Sequence, residues 1–517
     1  MQKKYIKKNA VKVSILTLLS RFFGIIREFL IVKYLGAGAI SDAFLTAYKI
    51  PNSLRKIFAE GALSASLVPT FVSLVRKKDS SSINKLVLFS ILFFEGIVFL
   101  LCALIMFNTE KVLTLVAGGF SAEQISYAVP CLQIVMPFIF FISTSALFAS
   151  VLQSVGHFFI PAFGPVLLNI VFISSLLICM YKNLPIEYLC FFILFGGLVQ
   201  LITHIIVYFK LGFSFEWFDK KTLHSFKAVI KKFIPCFICM SVVEIGLFID
   251  TSFGSYLPHG SVSLIYYAFR FMHVPLGVFA TSLSTILLPY FSKISLYAPK
   301  RLSFYLLESI KLVFWAMIPV MILMTFVSQD IFTTIYLSKK FTFLQCSEAG
   351  KILLAYLAGL VFFSLNKILL NMFYALNNTV IPMVITIVIT GVNFLMNLLL
   401  MPHFQATGIA LATTISAFIQ TLLFLSCLLY FFNFKIYLKR LCIFAYSCFL
   451  QYLFIFIPMY GVYRLCLKGI SLFPPNVSYF LLESLGFWLW IGPLSLTILL
   501  LIYVTRRKFS LSIYFLD

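Results

Sequence analysis

Residues 20–75 read SRFFGIIREFLIVKYLGAGAISDAFLTAYKIPNSLRKIFAEGALSASLVPTFVSLV, and they set ionisable side chains into sequence otherwise apolar enough for lipid. The ionisable residues of this stretch are Arg21, Arg27, Glu28, Lys33, Asp42, Lys49, Arg55, Lys56 and Glu60. An ionisable side chain at bilayer depth costs about 2.5–3.5 kcal/mol on insertion scales, so it normally faces a bundle interior or a watery cavity. Because cations predominate, the stretch predicts a transport pathway for an anion.

The composition of the whole chain predicts a polytopic helical membrane protein. Of its 517 residues 62% are hydrophobic and 11% are charged, and the mean hydropathy is +1.04. Apolar stretches of roughly the 20 residues that a bilayer requires repeat from end to end. A soluble multidomain protein would need polar helix faces and long polar linkers, and the longest polar stretch is only 210–232.

The sequence predicts an all-α fold with about 14 transmembrane helices. The predicted spans are 11–35, 42–74, 86–107, 125–153, 161–181, 186–209, 233–255, 262–292, 303–327, 350–376, 381–401, 408–432, 441–464 and 479–504. Loops 2–3, 6–7, 8–9 and 12–13 carry three to six Lys or Arg each, whereas the loops on the other side hold seven in total: Lys111, Lys182, Lys339, Lys340, Lys351, Arg464 and Lys468. The positive-inside rule therefore places both termini in the cytoplasm. Most of the net charge of +23 is explained by topology and pathway, which argues against nucleic-acid binding.

A weak internal repeat divides the chain. Ala47-Tyr48-Lys49 matches Ala268-Phe269-Arg270, and Pro69, Pro161 and Gln200 recur as Pro289, Pro382 and Gln420, all at an offset of 220 or 221 residues. The repeat equates spans 1–6 with spans 7–12, which gives two parallel halves around a shared site. The predicted domains are an N-lobe (1–210), a cytoplasmic linker (211–232), a C-lobe (233–432) and two C-terminal helices (433–517).

The repeat also predicts a central cationic cavity between the two six-helix lobes. Lys49 and Arg270 occupy equivalent positions and should face this cavity from opposite sides. Together with Arg27 they form an outer tier, and Arg21 and Arg55 form a deeper tier. At 100° per residue Arg21, Arg27 and Glu28 share one face of span 1. The alternative is that these charges only pair internally, for instance Arg27 with Asp42 or Lys49 with Glu28.

Other chemistry has little support in the sequence. The phosphate-binding pattern GxxxxGK[ST] does not occur, so any pumping would draw on an Na⁺ or H⁺ gradient, the membrane potential or substrate consumption. No cofactor, metal or catalytic residue is predicted. Cys236 and Cys239 form a lone CxxC pair that favours apolar packing. Glu244 and Asp250 in span 7 are candidate cation ligands, with simple ion pairing or a position at the span end as the alternative.

Several motifs resemble the signature of the MurJ/MviN lipid II flippases, in the multidrug/oligosaccharidyl-lipid/polysaccharide exporter superfamily. They are SRFFGIIRE at 20–28, GAG at 36–38, SDAF at 41–44, IPNSLR at 50–55 and FAEGA at 58–62. The resemblance implies a bacterial cytoplasmic (inner) membrane protein that is not an enzyme. It would move undecaprenyl-diphosphate-linked disaccharide-pentapeptide (lipid II) to the outer leaflet for peptidoglycan synthesis. Membrane lipids and the cell-wall synthesis machinery would be its other partners.

The resemblance also assigns roles to residues. It implies substrate binding by Arg21, Arg27, Arg55 and Arg270, with Asp42 as the acid of span 2. Lys49 joins this set through the repeat. Glu60 matches an acid implicated in gating, and Glu28 is a second gating candidate.

Two positions depart from the family pattern. Phe269 stands where relatives often have Asp, and Asn378 stands where relatives carry a carboxylate. The first departure bears on how Arg270 is held, and the second weakens the case for cation coupling near spans 7 and 11.

The predicted mechanism is alternating access, in which the diphosphate meets the deeper tier first and the polyprenyl tail stays in lipid. Two alternatives remain open. Another exporter of the superfamily, for drugs or polysaccharide-lipids, would have the same fold, although drug export predicts a more acidic or apolar cavity. A membrane-embedded transferase would hold a lipid diphosphate too, but it would usually show a catalytic acid pair or His on a substantial aqueous loop.

Overall fold

The computed structural model describes residues 2–77, 79–298, 301–435 and 437–516. The side chains of residues 2–12, 14, 59–62, 65, 239 and 296 also lie outside the described part, which includes Glu60 and Cys239 of the predictions above. The chain folds into two compact units, Met1–Ser263 and Leu264–Asp517. Apart from one isolated bridge between Ser338 and Phe341, the secondary structure of the described residues is helical.

The first unit contains ten α-helices and begins an eleventh. They are α1 (Gln2–Leu35), α2 (Ala39–Arg55), α3 (Ser64–Arg76), α4 (Ser80–Phe107), α5 (Thr109–Val116), α6 (Ala122–Val135), α7 (Phe138–Ser154), α8 (Phe159–Lys182), α9 (Ile186–Lys210), α10 (Lys220–Ser255) and α11 (Ser261–Pro275). A π-helical segment, π1 (Lys56–Leu63), joins α2 to α3. Helix α8 packs on α1 and α9, α6 packs on α2, and α7 packs on α9. The charge-rich helices α1 and α2 are thereby held by their apolar neighbours.

The second unit continues from α11 through a second π-helical segment, π2 (Leu276–Thr281). Its helices are α12 (Ser282–Tyr297), α13 (Leu302–Phe326), α14 (Ser328–Tyr336), α15 (Phe343–Leu357), α16 (Leu360–Ala375), α17 (Val380–Phe432), α18 (Leu438–Ser471), α19 (Pro475–Glu483) and α20 (Phe487–Thr505). Helix α16 packs against α12, α13 and α17. Buried residues of α18 and α20 join Trp315 of α13 in one apolar cluster, which attaches the C-terminal pair to this unit.

Nine predicted spans lie on one α-helix, and the other five (42–74, 125–153, 262–292, 350–376 and 479–504) each run over two successive helices. Ten helical stretches of the described chain, with α6–α7 and α11–α12 counted as one each, are long and apolar enough to cross a membrane, and the bent pair α15–α16 makes up to eleven. Helix α17 is one of the ten but carries two predicted spans, because non-helical backbone at Gln405 (φ 51°, ψ −132°) divides it. The other two predicted spans lie on α1 and on α2 with its continuation through α3. The polytopic membrane fold is therefore confirmed.

The two π-helical segments support the internal repeat. π1 begins at Lys56 and π2 at Leu276, which is the same 220-residue offset as that between Pro69 and Pro289. π-helices are rare and are frequently found at functional sites, so their recurrence is informative. The sequence patterns used above did not predict either segment.

The boundary between the units differs from the predicted lobe boundary. The sequence places 233–255 with the C-lobe, whereas α10 belongs to the unit that ends at Ser263. The physical reason is a set of polar contacts from α2 and π1 to α10, described below. The division into functional lobes remains a prediction.

Candidate functional site

Arg27 is held on α1 by its own neighbour and by α8. Its guanidinium donates to Glu28 Oε1 at 2.6 Å and to Asn169 Oδ1 at 3.0 Å, and it lies 5.3 Å from the centre of the Phe172 ring. Asn169 Nδ2 in turn donates to the backbone oxygen of Ser20 at 3.0 Å. Arg27 is thus oriented by α8, while Arg21 is exposed on the same helix.

Asp42 lies at the start of α2 and is 1% exposed. Its carboxylate accepts hydrogen bonds from the Gly260 amide at 2.6 Å, from the Ser263 amide at 2.8 Å and from the Ser263 hydroxyl at 2.5 Å. Gln124 Nε2 lies 3.3 Å from the same carboxylate. The first amides of a helix have no partner within the helix. Asp42 therefore satisfies the start of α11, and its predicted contact with substrate remains a prediction.

Gly260 makes the close approach to α2 possible. Its φ is +93°, and a Cβ there would come within 2.9 Å of the Ala37 backbone oxygen. A positive φ and the lack of room both favour glycine.

Three side chains of α2 and π1 form what we call the polar ladder to α10. Lys49 Nζ donates to the Leu247 backbone oxygen at 2.6 Å and also to the Thr251 hydroxyl. One turn further on, Ser53 donates to Glu244 Oε2 at 2.5 Å. Lys56 Nζ lies 3.0 Å from Glu244 Oε1. Numbers rise along α2 as they fall along α10, so the two helices run antiparallel.

One of the two candidate cation ligands of span 7, Glu244, belongs to the polar ladder. Glu244 is 8% exposed and pairs with Lys56, whose side chain is 37% exposed, which favours the ion-pair alternative for Glu244. Asp250 is buried, and its predicted role is untested. Among the described side chains no group of three or more His, Cys, Asp or Glu could hold a metal ion.

Arg55 and Arg270 are each held by a neighbour on their own helix. Arg55 Nε donates to Asn52 Oδ1 at 3.1 Å. Arg270 donates to the Tyr266 hydroxyl at 2.8 Å, and its guanidinium carbon lies 4.8 Å from the Tyr266 ring centre. The Tyr266 hydroxyl thus accepts a hydrogen bond from the Arg270 guanidinium, and the Tyr266 ring makes a cation–π contact with the same group.

The two departures from the family pattern have local explanations. The Phe269 ring lies 4.2 Å from the ring of His273 and 5.5 Å from that of Tyr356, so an aromatic cluster occupies this position. Asn378 Oδ1 accepts the Ile381 amide at 3.0 Å and caps the first turn of α17. Phe269 and Asn378 are both uncharged, so neither contributes a charge at its position.

The charge balance supports an anionic ligand. Residues 20–75 hold six Lys or Arg against three Asp or Glu, and the ladder adds one acid, Glu244. The summed formal charge of the ionisable residues in 20–75 and Glu244 is therefore positive, however these residues pair with one another. Guanidinium groups suit bidentate contact with phosphate oxygens, so this chemistry fits a diphosphate.

Sequence reasoning missed three partners of the predicted residues: Asn169, Gln124 and Thr251. Asn169 is an amide within the apolar span 161–181, and a rule that flags isolated amides in spans would have found it. Gln124 and Thr251 lie near span ends, where polar residues are common and carry no signal of their own.

Comparisons with known proteins agree on one family. The family model described as Lipid II flippase MurJ matches residues 31–484. A relative from Buchnera aphidicola subsp. Acyrthosiphon pisum, named probable lipid II flippase MurJ, is 32% identical over 430 residues, which cover 80% of this chain and 82% of the relative. The protein named lipid II flippase MurJ from Burkholderia cenocepacia is 30% identical over 420 residues, covering 80% and 81%.

Solved structures show the same similarity. A lipid II flippase MurJ in an inward closed conformation matches with a TM-score of 0.78 at 26% identity, over 96% of this chain and 99% of that one. An inward-facing multidrug resistance MATE family transporter of the MOP superfamily matches with a TM-score of 0.65 at 13% identity, over 81% and 97%. The second likeness shows the fold alone.

Proposed function

This chain belongs to the MurJ family of lipid II flippases, and from that premise we propose that its cationic residues carry the lipid II diphosphate across the membrane by alternating access. The observation that carries the proposal is the excess of cations over acids in residues 20–75. The diphosphate meets Arg21 and Arg55 first. It then passes to Arg27, Lys49 and Arg270.

The polar ladder and the Asp42 contact have a place in this cycle. Both join α2 or π1 to the region 244–263, which the repeat assigns to the second half of the transporter. Movement of one half against the other requires these contacts to break and re-form. Lys49 and Lys56 would then exchange α10 oxygens for substrate oxygens, and Glu28 and Glu60 would take part in gating.

The energy source is part of the proposal. An inside-negative potential assists outward movement of negative charge by about 2.3 kcal/mol per charge per 100 mV, and the net-cationic pathway is suited to anionic cargo. An Na⁺ or H⁺ gradient is the second candidate. Dissipating the potential and each gradient separately in proteoliposomes would distinguish them by which treatment slows lipid II movement.

The proposed location is the bacterial inner membrane, with both termini in the cytoplasm and the cell-wall synthesis machinery as a further partner. The loop charges support this orientation. Reporter tags after Lys221 and Lys508 should give cytoplasmic signals, and tags near Asn108 and His259 should give outer signals. An outer signal at Lys221 would contradict the orientation.

Depletion in a bacterial host tests the proposal. Cells that lose their own flippase should accumulate lipid II in the inner leaflet, and this chain should restore outer-leaflet lipid II. Arg27→Ala and Arg270→Ala should fail to restore it at matched expression. Full restoration by both variants would contradict the role of the cations.

A further inference from the structure

The first four turns of α10 carry a row of basic residues that the flippase mechanism does not use. Lys220, His224, Lys227 and Lys231 follow at i, i+4, i+7 and i+11, so they lie within about 60° of one another at 100° per residue. All four are exposed, and Lys221 and Lys232 flank them. We call these six residues the basic face of α10.

The opposite face of this segment is packed against the protein. Its buried residues are Thr222, Phe226, Val229 and Phe233. The Phe226 ring lies 4.7 Å from that of Phe89, and the Phe233 ring lies 4.8 Å from that of Phe94, both on α4. The orientation of the basic face is therefore set by packing and directed away from the unit.

These ring contacts also locate the basic face along α4. Phe226 and Phe233 are seven residues apart, about 10 Å at 1.5 Å per residue, and their rings contact those of Phe89 and Phe94 in turn. Phe218, just before α10, lies 4.8 Å from Phe89 as well. The segment therefore runs beside the first turns of the predicted span 86–107.

The linker before α10 is anchored through its acidic residues. Glu216 accepts from Asn84 Nδ2 at 2.7 Å and from the Ser81 hydroxyl, and these bonds lower the pKa of Glu216 below its usual value. Asp219 caps α10 through the Thr222 amide at 2.9 Å and pairs with Lys85 at 3.1 Å. These contacts hold the pKa of Asp219 at about 2. Both acids are thus directed to α10 or α4.

An aromatic residue stands beside the basic face. Trp217 is 78% exposed, next to the exposed Phe218. Tryptophan is enriched at membrane–water interfaces, where its ring sits at head-group level. An exposed Trp beside a row of lysines is thus consistent with a segment at the membrane–water interface.

We propose that the basic face of α10 binds anionic phospholipid head groups of the cytoplasmic leaflet. Clusters of four to eight Lys or Arg immediately cytoplasmic of a transmembrane helix bind anionic lipid in this way. The proposal rests on the cytoplasmic placement of 210–232 and is independent of lipid II transport. Nucleic acid is disfavoured because the face leads directly into the predicted span 233–255.

Trp217 provides a reporter beside the face. The full chain is placed in bilayers that contain acyl-brominated phosphatidylglycerol or phosphatidylcholine at the same mole fraction. The Trp217 signal is the difference between the parent and Trp217→Phe. Brominated phosphatidylglycerol should quench this signal more strongly than brominated phosphatidylcholine, and the ratio of the two gives the preference for the anionic lipid. The triple variant Lys220→Gln, Lys227→Gln and Lys231→Gln should reduce this preference by at least about fivefold.

Two matched variants sharpen the test. The triple Lys→Arg variant at the same three positions keeps the charge and should keep the preference. Lys339→Gln, Lys351→Gln and Lys468→Gln remove the same charge from exposed lysines elsewhere and should leave the Trp217 signal unchanged.

Several results would overturn the proposal. One is equal quenching by the two lipids in the parent. A second is a preference for phosphatidylglycerol that persists in the triple Lys→Gln variant. A third is the loss of this preference in the triple Lys→Arg variant. Displacement of phosphatidylglycerol by a few mole per cent of lipid II would instead assign the face to the substrate. None of these results depends on flipping activity, so failure here is distinguishable from failure of the proposed function.

Discussion

Replacing Asp42 with Ala should release the start of α11. The carboxylate is 1% exposed and accepts two backbone amides and one hydroxyl, at 2.5–2.8 Å. A buried donor that loses its partner costs about 1–3 kcal/mol, so the two amides alone correspond to roughly 2–6 kcal/mol of local stability. Even the lower figure is about a 30-fold change in an equilibrium constant.

Amide hydrogen exchange measures this local change directly. Peptides that contain Gly260 and Ser263 should exchange at least about 30-fold faster in Asp42→Ala, while peptides from α16 should not change. Asp42→Asn should be intermediate because it keeps one carbonyl oxygen for the two amides. The exposed helix cap Asp219 serves as the control, and Asp219→Ala should affect only the first turn of α10. Unchanged exchange around Gly260 in Asp42→Ala would refute the reasoning.

The remaining predictions concern the cations and their partners. A double-mutant cycle of Glu244→Gln and Lys56→Met, followed by thermal unfolding, should give a coupling energy below about 1 kcal/mol. The reason is that the Lys56 side chain is 37% exposed, so solvent screens the ion pair. A much larger coupling energy would contradict this. Arg55→Lys should impair lipid II flipping, because lysine keeps the charge but lacks the planar, bidentate guanidinium group. Arg55→Ala should impair flipping more. Near-normal flipping rates in both variants would remove Arg55 from the site. Tyr266→Phe should reduce flipping less than Arg270→Ala, since the ring under the guanidinium remains; the reverse order would show that the hydroxyl matters more than the charge.

The sequence predicted the helical membrane fold well because apolar length is a local property. Nine of the fourteen predicted spans lie on a single α-helix and five run over two successive helices, and the repeat offset of 220 residues recurs in π1 and π2. The π geometry itself has no local signature in this chain. The break at Gln405 was predicted only as a short loop between spans 11 and 12.

The sequence predicted the site less completely because partners come from distant segments. Arg27 pairs with the adjacent Glu28, whereas the internal pair that the sequence suggested for Arg27 was Asp42. The contacts of Asp42 with Gly260 and Ser263 join residues more than 200 positions apart. Helical periodicity places a side chain on a face but does not identify what that face meets.

Transbilayer movement of lipid II by the purified protein is the most direct test of the account. Proteoliposomes should expose lipid II to an impermeant head-group reagent faster than protein-free liposomes, and an inside-negative potential should accelerate outward movement. The joint variant Arg27→Ala with Arg270→Ala should bring the rate to the protein-free level while retaining its helical content. A rate that is unchanged in this variant, or equal with and without protein, would contradict transport of lipid II through a cationic pathway.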